Sequence, residues 1–277
     1  MSVSSNKIPL CFVVALECEA APFKRYYQLK LLQSGLPFSI YWDTKDLIYL
    51  VVSGVGKAFA AAAVAYLYTK LGERKNMVWL NVGVAGHRER ELGELCLAHK
   101  ILDLGSDLCF YPPLVFETHL VSECVATSDV GVRDYPENFV YEMEAAGFYQ
   151  MALKCSSAEL VQVIKIISDN QHQGLDQLKA SKVEELIGQN MVELDGFAKK
   201  ICSLSSLLPR RSSLSLLEKV EARFHFTFTQ RQQLKFYLEK ILFWEREEEL
   251  LFLFDLPSGR KVLEALKKKL SEYVYEP

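Results

Sequence analysis

No stretch of this chain approaches the roughly 18 consecutive apolar residues needed to cross a bilayer. The early apolar run, Ile8–Leu16, has no basic segment before it and is followed at once by Glu17 and Glu19. It reads as a buried strand rather than a secretion signal. Neither charge is in excess, since 32 Lys and Arg against 35 Asp and Glu leave a formal net charge of −3. That removes the electrostatic case for nucleic acid or an anionic membrane as partner. No Cys-x-x-Cys pair occurs, and the seven cysteines (Cys11, Cys18, Cys96, Cys109, Cys124, Cys155, Cys202) are scattered and odd in number. They are expected to be mostly buried free thiols of a cytoplasmic protein. The five histidines show no metal-ligand spacing, so no metal and no other cofactor is expected. Repeats and low-complexity tracts are missing too.

What is present is apolar sequence, half of 277 residues, enough for one large core or a main domain with a small second one. Largely apolar runs suited to buried strands recur at Ile8–Leu16, Leu47–Val52, Met77–Val82, Leu95–Leu102, Leu120–Ala126 and Leu160–Ile167. Phe38–Trp42 and Leu47–Val52 flank a turn, Asp43–Asp46, and read as a hairpin. Helical patterns follow Glu19 to about Leu31 and run from Lys57 to Lys70. The alternation predicts a three-layer αβα domain on a central twisted mixed sheet over residues 1–203. After Cys202 a serine- and leucine-rich hinge with Pro209–Arg211 leads into helical sequence, so 204–277 are expected to form a small helical extension. Thr229 with Gln232, and Ser258, are its candidate caps. Leu234, Tyr237, Leu238 and Ile241 form a stripe expected to be covered by the main domain or by another subunit. Phe224–Phe228 and Trp244 read as packing residues, and Lys267–Lys269 as an exposed face.

The chemistry gathers where strands end. Glu17 and Glu19 follow the first strand, Ser53 the third and Asp169 the last, and open α/β sheets bind ligands along that edge. Taken singly, Glu17 and Glu19 are equally acids of a first helical turn, and Asp169 equally a helix cap. The segment Tyr141–Phe148, YEMEAAGF, adds Glu142 and Glu144. In an extended chain these two share a face with Met143 opposite; in a helix they splay apart by about 200°. Arg88–Glu91 reads as a solvated charged turn and His87 as a loop histidine.

Five segments, ALECEA (Ala15–Ala20), SGVGKAFAAAA (Ser53–Ala63), NVGVAG (Asn81–Gly86), YEMEAA (Tyr141–Ala146) and IISD (Ile166–Asp169), stand in the order found in one superfamily. The chain resembles the nucleoside phosphorylase/nucleosidase superfamily over about residues 8–202, and within it most resembles methylthioadenosine/S-adenosylhomocysteine nucleosidases. The resemblance implies a phosphorylase-type fold, a homodimer or larger homo-oligomer, and cleavage of a purine-type nucleoside at its N-glycosidic bond. It also implies roles. Glu19 activates water, Glu144 accepts hydrogen bonds from the ribose, Met143 lies under the sugar, and Asp169 protonates the departing base. Ser168, Glu142, Ala85 and Gly86 help to hold the ligand. Cleavage builds positive charge on the sugar and negative charge on the base, so a carboxylate near one and a proton donor near the other both lower the barrier.

The chain departs from that pattern in a short segment before YEMEAA, Ser128–Arg133 and Asp134–Pro136, and in having no aromatic near Gly131 to stack on a base. Asn81 and Val84 stand where phosphorylases of the superfamily place an arginine and a hydroxyl, and Val84 has no hydrogen-bonding side chain. Water is therefore the expected nucleophile. A phosphate-dependent phosphorylase and a noncatalytic nucleoside-binding protein are the alternatives.

Overall fold

The computed structural model describes residues 8–34, 37–43, 45, 47–72, 76–207, 213–242 and 247–272. Pro209–Arg211 and Trp244, singled out above, lie outside them, as do Thr44 and Asp46 of the expected turn. The chain divides into two compact units, Met1–Leu207 and Leu208–Pro277.

The first unit carries a ten-stranded mixed sheet with helices on both sides. Its strands are β1 (Leu10–Val14), β2 (Lys30–Gln33), β3 (Ser39–Asp43), β4 (Ile48–Val52), β5 (Val78–His87), β6 (Leu95–Asp103), β7 (Cys109–Phe110), β8 (Val121–Thr127), β9 (Val140–Glu142) and β10 (Val161–Asp169). The helices are α1 (Glu17–Tyr26), α2 (Lys57–Lys70), α3 (Ala145–Cys155), α4 (Ala180–Gln189) and α5 (Met191–Leu207). The order β2-β3-β4-β1-β5 forms one wing, with β3–β4 the expected antiparallel hairpin. Beyond it β5 pairs with both β9 and β10, and β10, β6, β8 and β9 are joined in turn, so this half closes on itself. Every residue of β1 and β10 is buried, as strands covered on both faces must be, although β1 is wholly apolar and β10 carries Gln162 and Lys165.

Two boundaries differ from the sequence reading. The helix after β1 ends at Tyr26, because Gln28 takes a left-handed φ of +52° and the chain returns as β2 against β3. The central strand continues past Val82 through Gly83–Gly86 to His87, since β10 and β9 supply ladder partners there. His87 is thus a buried strand residue, whose Nδ1 accepts from the amides of Glu89 and Arg90. Arg90 is no free surface charge either, being paired with Glu94 and Glu123.

The second unit contains α6 (Ser213–Arg223), α7 (Phe228–Ile241), a 3-10 segment (Glu247–Asp255) and α8 (Gly259–Ser271). The cap of α7 is Thr227, boxed with Gln230, two residues before the expected Thr229. Both pairs have the same spacing, and the extended backbone at Thr227 decides between them. Ser258 caps α8 as expected. The stripe Leu234, Leu238 and Ile241 is fully buried, with Tyr237 beside it, in a core that includes Val220, Val262 and Leu266 of the same unit. The unit covers this face itself, contrary to the expectation of a partner surface. Phe224 and Phe226 join that core, whereas Phe228 is exposed.

Candidate active site

The cavity sits where β1, β5 and β10 end. It has a volume of about 290 Å³ and is lined by Glu19, Met143, Glu144, Ser168 and Asp169, with Ala85, Gly86 and Glu142 also on its wall. Apolar side chains, among them Leu16, Val55, Val132, Leu178 and Val183, complete it. All eight site residues expected from the sequence therefore meet at one place. Cys18 joins them on the wall. Its thiol pKa is raised by burial and by neighbouring Glu19, which leaves it a poor nucleophile.

Glu19 lies in the first turn of α1, and its carboxylate turns back onto the backbone. Oε2 accepts from the amides of Ala15 at 2.8 Å and Leu16 at 2.9 Å, and Oε1 from the amide of Val84 at 2.9 Å. The first contacts satisfy amides that open the helix, and the last ties α1 to β5. A side chain at position 83 would collide with this group, because a Cβ there would lie 2.7 Å from Oε1. Burial pushes the Glu19 carboxyl up, against the Val84 amide and the charge of Lys165.

YEMEAAGF spans the junction between β9 and α3, so neither wholly extended nor wholly helical geometry applies. Glu142 ends the strand and caps the helix. Its carboxylate accepts from the amides of Glu144 (2.9 Å) and Ala145 (2.8 Å) and from the Thr127 hydroxyl (2.6 Å). Glu144 is the N-cap residue of α3, and its Oε1 accepts from the amide of Gly56 at 2.9 Å. That contact depends on two glycines. Gly56 has a φ of +110°, and Gly147 lets α3 reach the start of α2, where a Cβ would lie 2.1 Å from the Lys57 carbonyl.

Sequence reading missed Lys165. It lies within the buried run of β10, with Nζ 2.8 Å from Glu142 Oε2 and 3.8 Å from Glu144 Oε2. Burial alone would lower its pKa, but Glu142, Glu144 and Glu19 outweigh burial and raise it, so it is a cation. One lysine faces three buried carboxylates. Glu142 holds it directly, and the Glu144 carboxyl is pushed up to about 7 by burial and by Glu142, against the pull of Lys165. A charge inside an otherwise largely apolar strand was the available signal, since an isolated buried lysine is too costly without carboxylate partners.

Asp169 closes β10 and begins no helix, which disposes of the cap reading. The ladder with β5 carries a bulge between Ile167 and Asp169, so that Ser168 is the inserted residue and Asp169 pairs with Gly86. Gly86 lies two residues beyond Val84, the anchor of Glu19, a rise of about 7 Å along the strand. The Ser168 hydroxyl donates to Asp169 Oδ1 at 2.5 Å, and the Tyr135 hydroxyl donates to Oδ2. Tyr135 is the second residue missed. The short segment before YEMEAA carries it, and nothing in the local pattern gives Tyr135 a role.

Asn81 is buried and donates to the Val13 carbonyl at 3.1 Å, an internal contact of the sheet. Among the described residues no cluster of His, Cys, Asp and Glu is arranged to hold a metal ion, and no helix is long and apolar enough to cross a membrane.

No protein-family model matches the chain, and no curated protein matches it in sequence. Solved structures do. A 5'-methylthioadenosine nucleosidase of Arabidopsis thaliana in apo form matches with a TM-score of 0.55 at 20% identity, over 73% of this chain and 98% of its own. The 5'-methylthioadenosine/S-adenosylhomocysteine nucleosidase of S. pneumoniae, with a transition-state inhibitor, matches with a TM-score of 0.54 at 20% identity, over 73% and 100%. Futalosine hydrolase of Helicobacter pylori matches with a TM-score of 0.53 at 15% identity, over 70% and 98%. The fold is thus of the nucleoside phosphorylase/nucleosidase type.

Proposed function

We propose that this chain hydrolyses the N-glycosidic bond of a purine-type nucleoside. The observation that carries the reading is that Glu19, Glu144 and Asp169 line one cavity with Met143, in a fold shared with nucleosidases. Glu19 is the general base. Buried and with raised proton affinity, it takes a proton from water as the oxygen attacks the anomeric carbon. Glu144 keeps Oε2 for the ribose hydroxyls while Oε1 stays on Gly56. The carboxylates around the sugar also stabilise the positive charge that grows there. Asp169 delivers its proton to a ring nitrogen of the leaving base, and Ser168 orients it. Glu142 acts indirectly, by fixing Lys165 and the start of α3.

Two features favour water over phosphate. The Val84 side chain offers no hydrogen bond, and its amide is occupied by Glu19. A phosphate at the Gly-x-Gly segment would need that donor. The apolar wall formed by Leu16, Val55 and Val183 suits an uncharged 5′ substituent. We also infer that the protein works in the cytoplasm as a homo-oligomer.

The test is base release from a panel of purine nucleosides with varied 5′ groups, with and without phosphate. Free ribose or its 5′-substituted form is the expected sugar product, at a rate indifferent to phosphate. Ribose 1-phosphate as product would make the chain a phosphorylase. Tight binding with no base release at any pH would make it a nucleoside-binding protein.

A further inference from the structure

Tyr135 stands out on four counts. Its side chain is buried against Ala126 and Tyr141, the two rings 6.0 Å apart, with Val132 and Phe139 alongside. Its hydroxyl meets Asp169 Oδ2. Its backbone has a φ of +39°, an outlier for a bulky residue that persists only when the surroundings enforce it. And the space for it exists because residue 86 is glycine, since a Cβ there would lie 2.6 Å from both the Tyr135 ring and Asp169 Oδ2.

The segment that carries Tyr135 is fastened on both sides. Asp129 pairs with Lys57 at 2.9 Å, Arg133 with Asp176 at 2.9 Å, and the Glu137 amide donates to the Tyr141 hydroxyl at 3.0 Å. Ser168 and Asp169 line the cavity and Tyr135 does not, so its hydroxyl reaches the carboxylate from behind the wall.

We propose that Tyr135 is the positioning residue of Asp169, holding one carboxylate oxygen from outside the cavity so that the group keeps a fixed orientation toward the departing base. The functional half rests on the hydrolase reading above; the contact itself does not. The physics is simple. A hydroxyl fixed on Oδ2 leaves the carboxyl one orientation toward the departing base, and a group already in place needs no reorganisation when the proton moves. Burial and Asp169 raise the pKa of the Tyr135 phenol, so it remains a donor throughout the working range.

Tyr135→Phe keeps the ring and removes the hydroxyl. In the hydrolase, kcat is expected to fall about tenfold with KM little changed, the pattern of a contact that serves the chemical step and not substrate binding. The other titratable groups on or behind the cavity wall are Glu19, Glu142 and Glu144 with Lys165, and Cys18, Lys179 and Tyr141. None loses a hydrogen bond in this variant, so the change in kcat reports on Asp169. A merely structural role would lower stability and leave kcat in place, which would overturn the proposal.

A second measurement needs no activity. In a denaturation cycle of Tyr135→Phe and Asp169→Asn, the double variant is expected to lose clearly less stability than the two single losses combined. Additive losses would overturn the proposal even in an active enzyme. Coupled losses in a chain that releases no base would overturn the hydrolase reading and leave the contact standing.

Discussion

The Nζ of Lys165 lies 2.8 Å from Oε2 of Glu142, with both side chains 1% exposed. This pair holds together the strand that ends in Asp169 and the junction that presents Glu144. Removing one member of a buried pair strands the other charge, at a cost of about 3–5 kcal/mol. Lys165→Met is therefore expected to lower stability by that order in urea unfolding at neutral pH. Lys165→Met with Glu142→Gln should be less damaging than the two single losses combined. A Lys165→Met protein of unchanged stability would show that the pair does not hold the site.

Glu144 predicts a pH dependence of stability. Burial, with repulsion from Glu142, raises its carboxyl from an ordinary value of 4.5 to about 7. The folded state then binds the proton more tightly than the unfolded state. The corresponding stability is fully present below about 4.5 and is lost as pH rises through about 7. Glu144→Gln keeps the shape without the charge. Relative to the wild type it should gain stability across that window, by at most about 3 kcal/mol. Urea midpoints of both proteins across the window provide the check, and a constant difference would contradict it.

Under the hydrolase reading, Asp169→Asn and Glu19→Gln should each lower kcat by about 10²–10⁴ while nucleoside binding survives. Glu144→Gln should weaken both, because ribose hydroxyls are held before and during cleavage. Steady-state kinetics with binding calorimetry separates the two patterns. An Asp169→Asn protein with full turnover would remove Asp169 from the mechanism.

Gly83→Ala tests the seat of Glu19. The backbone there is ordinary, but the new Cβ would stand 2.7 Å from Oε1. The carboxylate must leave the Val84 amide, so base release is expected to fall about 10²-fold, the lower range for a displaced general base. Unchanged kcat/KM would show that this contact does not position the base.

In the C-terminal unit, Leu238→Ala empties a fully buried position and should cost about 2–5 kcal/mol. Hydrogen exchange is the suitable measurement, because it reads each unit separately. Amides of α7 should exchange faster while those of β1 keep their protection. Equal acceleration in both would show that the units do not unfold independently.

The sequence by itself determined the kind of fold and most of the site. Largely apolar runs read as buried strands, and acids just beyond parallel ones gather at one edge of the sheet; Glu19, Glu144 and Asp169 line one cavity there. Local pattern also sufficed for α2, from Lys57 to Lys70, and for the Ser258 cap. It failed where an outcome depends on residues distant along the chain. Gly83–Gly86 look like a turn and are strand, because β9 and β10 offer them partners. Glu142 and Glu144 look like one repeated feature, but a strand-to-helix junction and a lysine more than twenty residues away give them different partners. No local pattern marks Tyr135, and only the tertiary structure brings it against Asp169, 34 positions on. The stripe on α7 is apolar in the sequence, but which surface covers it is a matter of packing, and here α6 and α8 do. Periodicity reports which side of an element avoids water; the partner on that side is set by the tertiary structure.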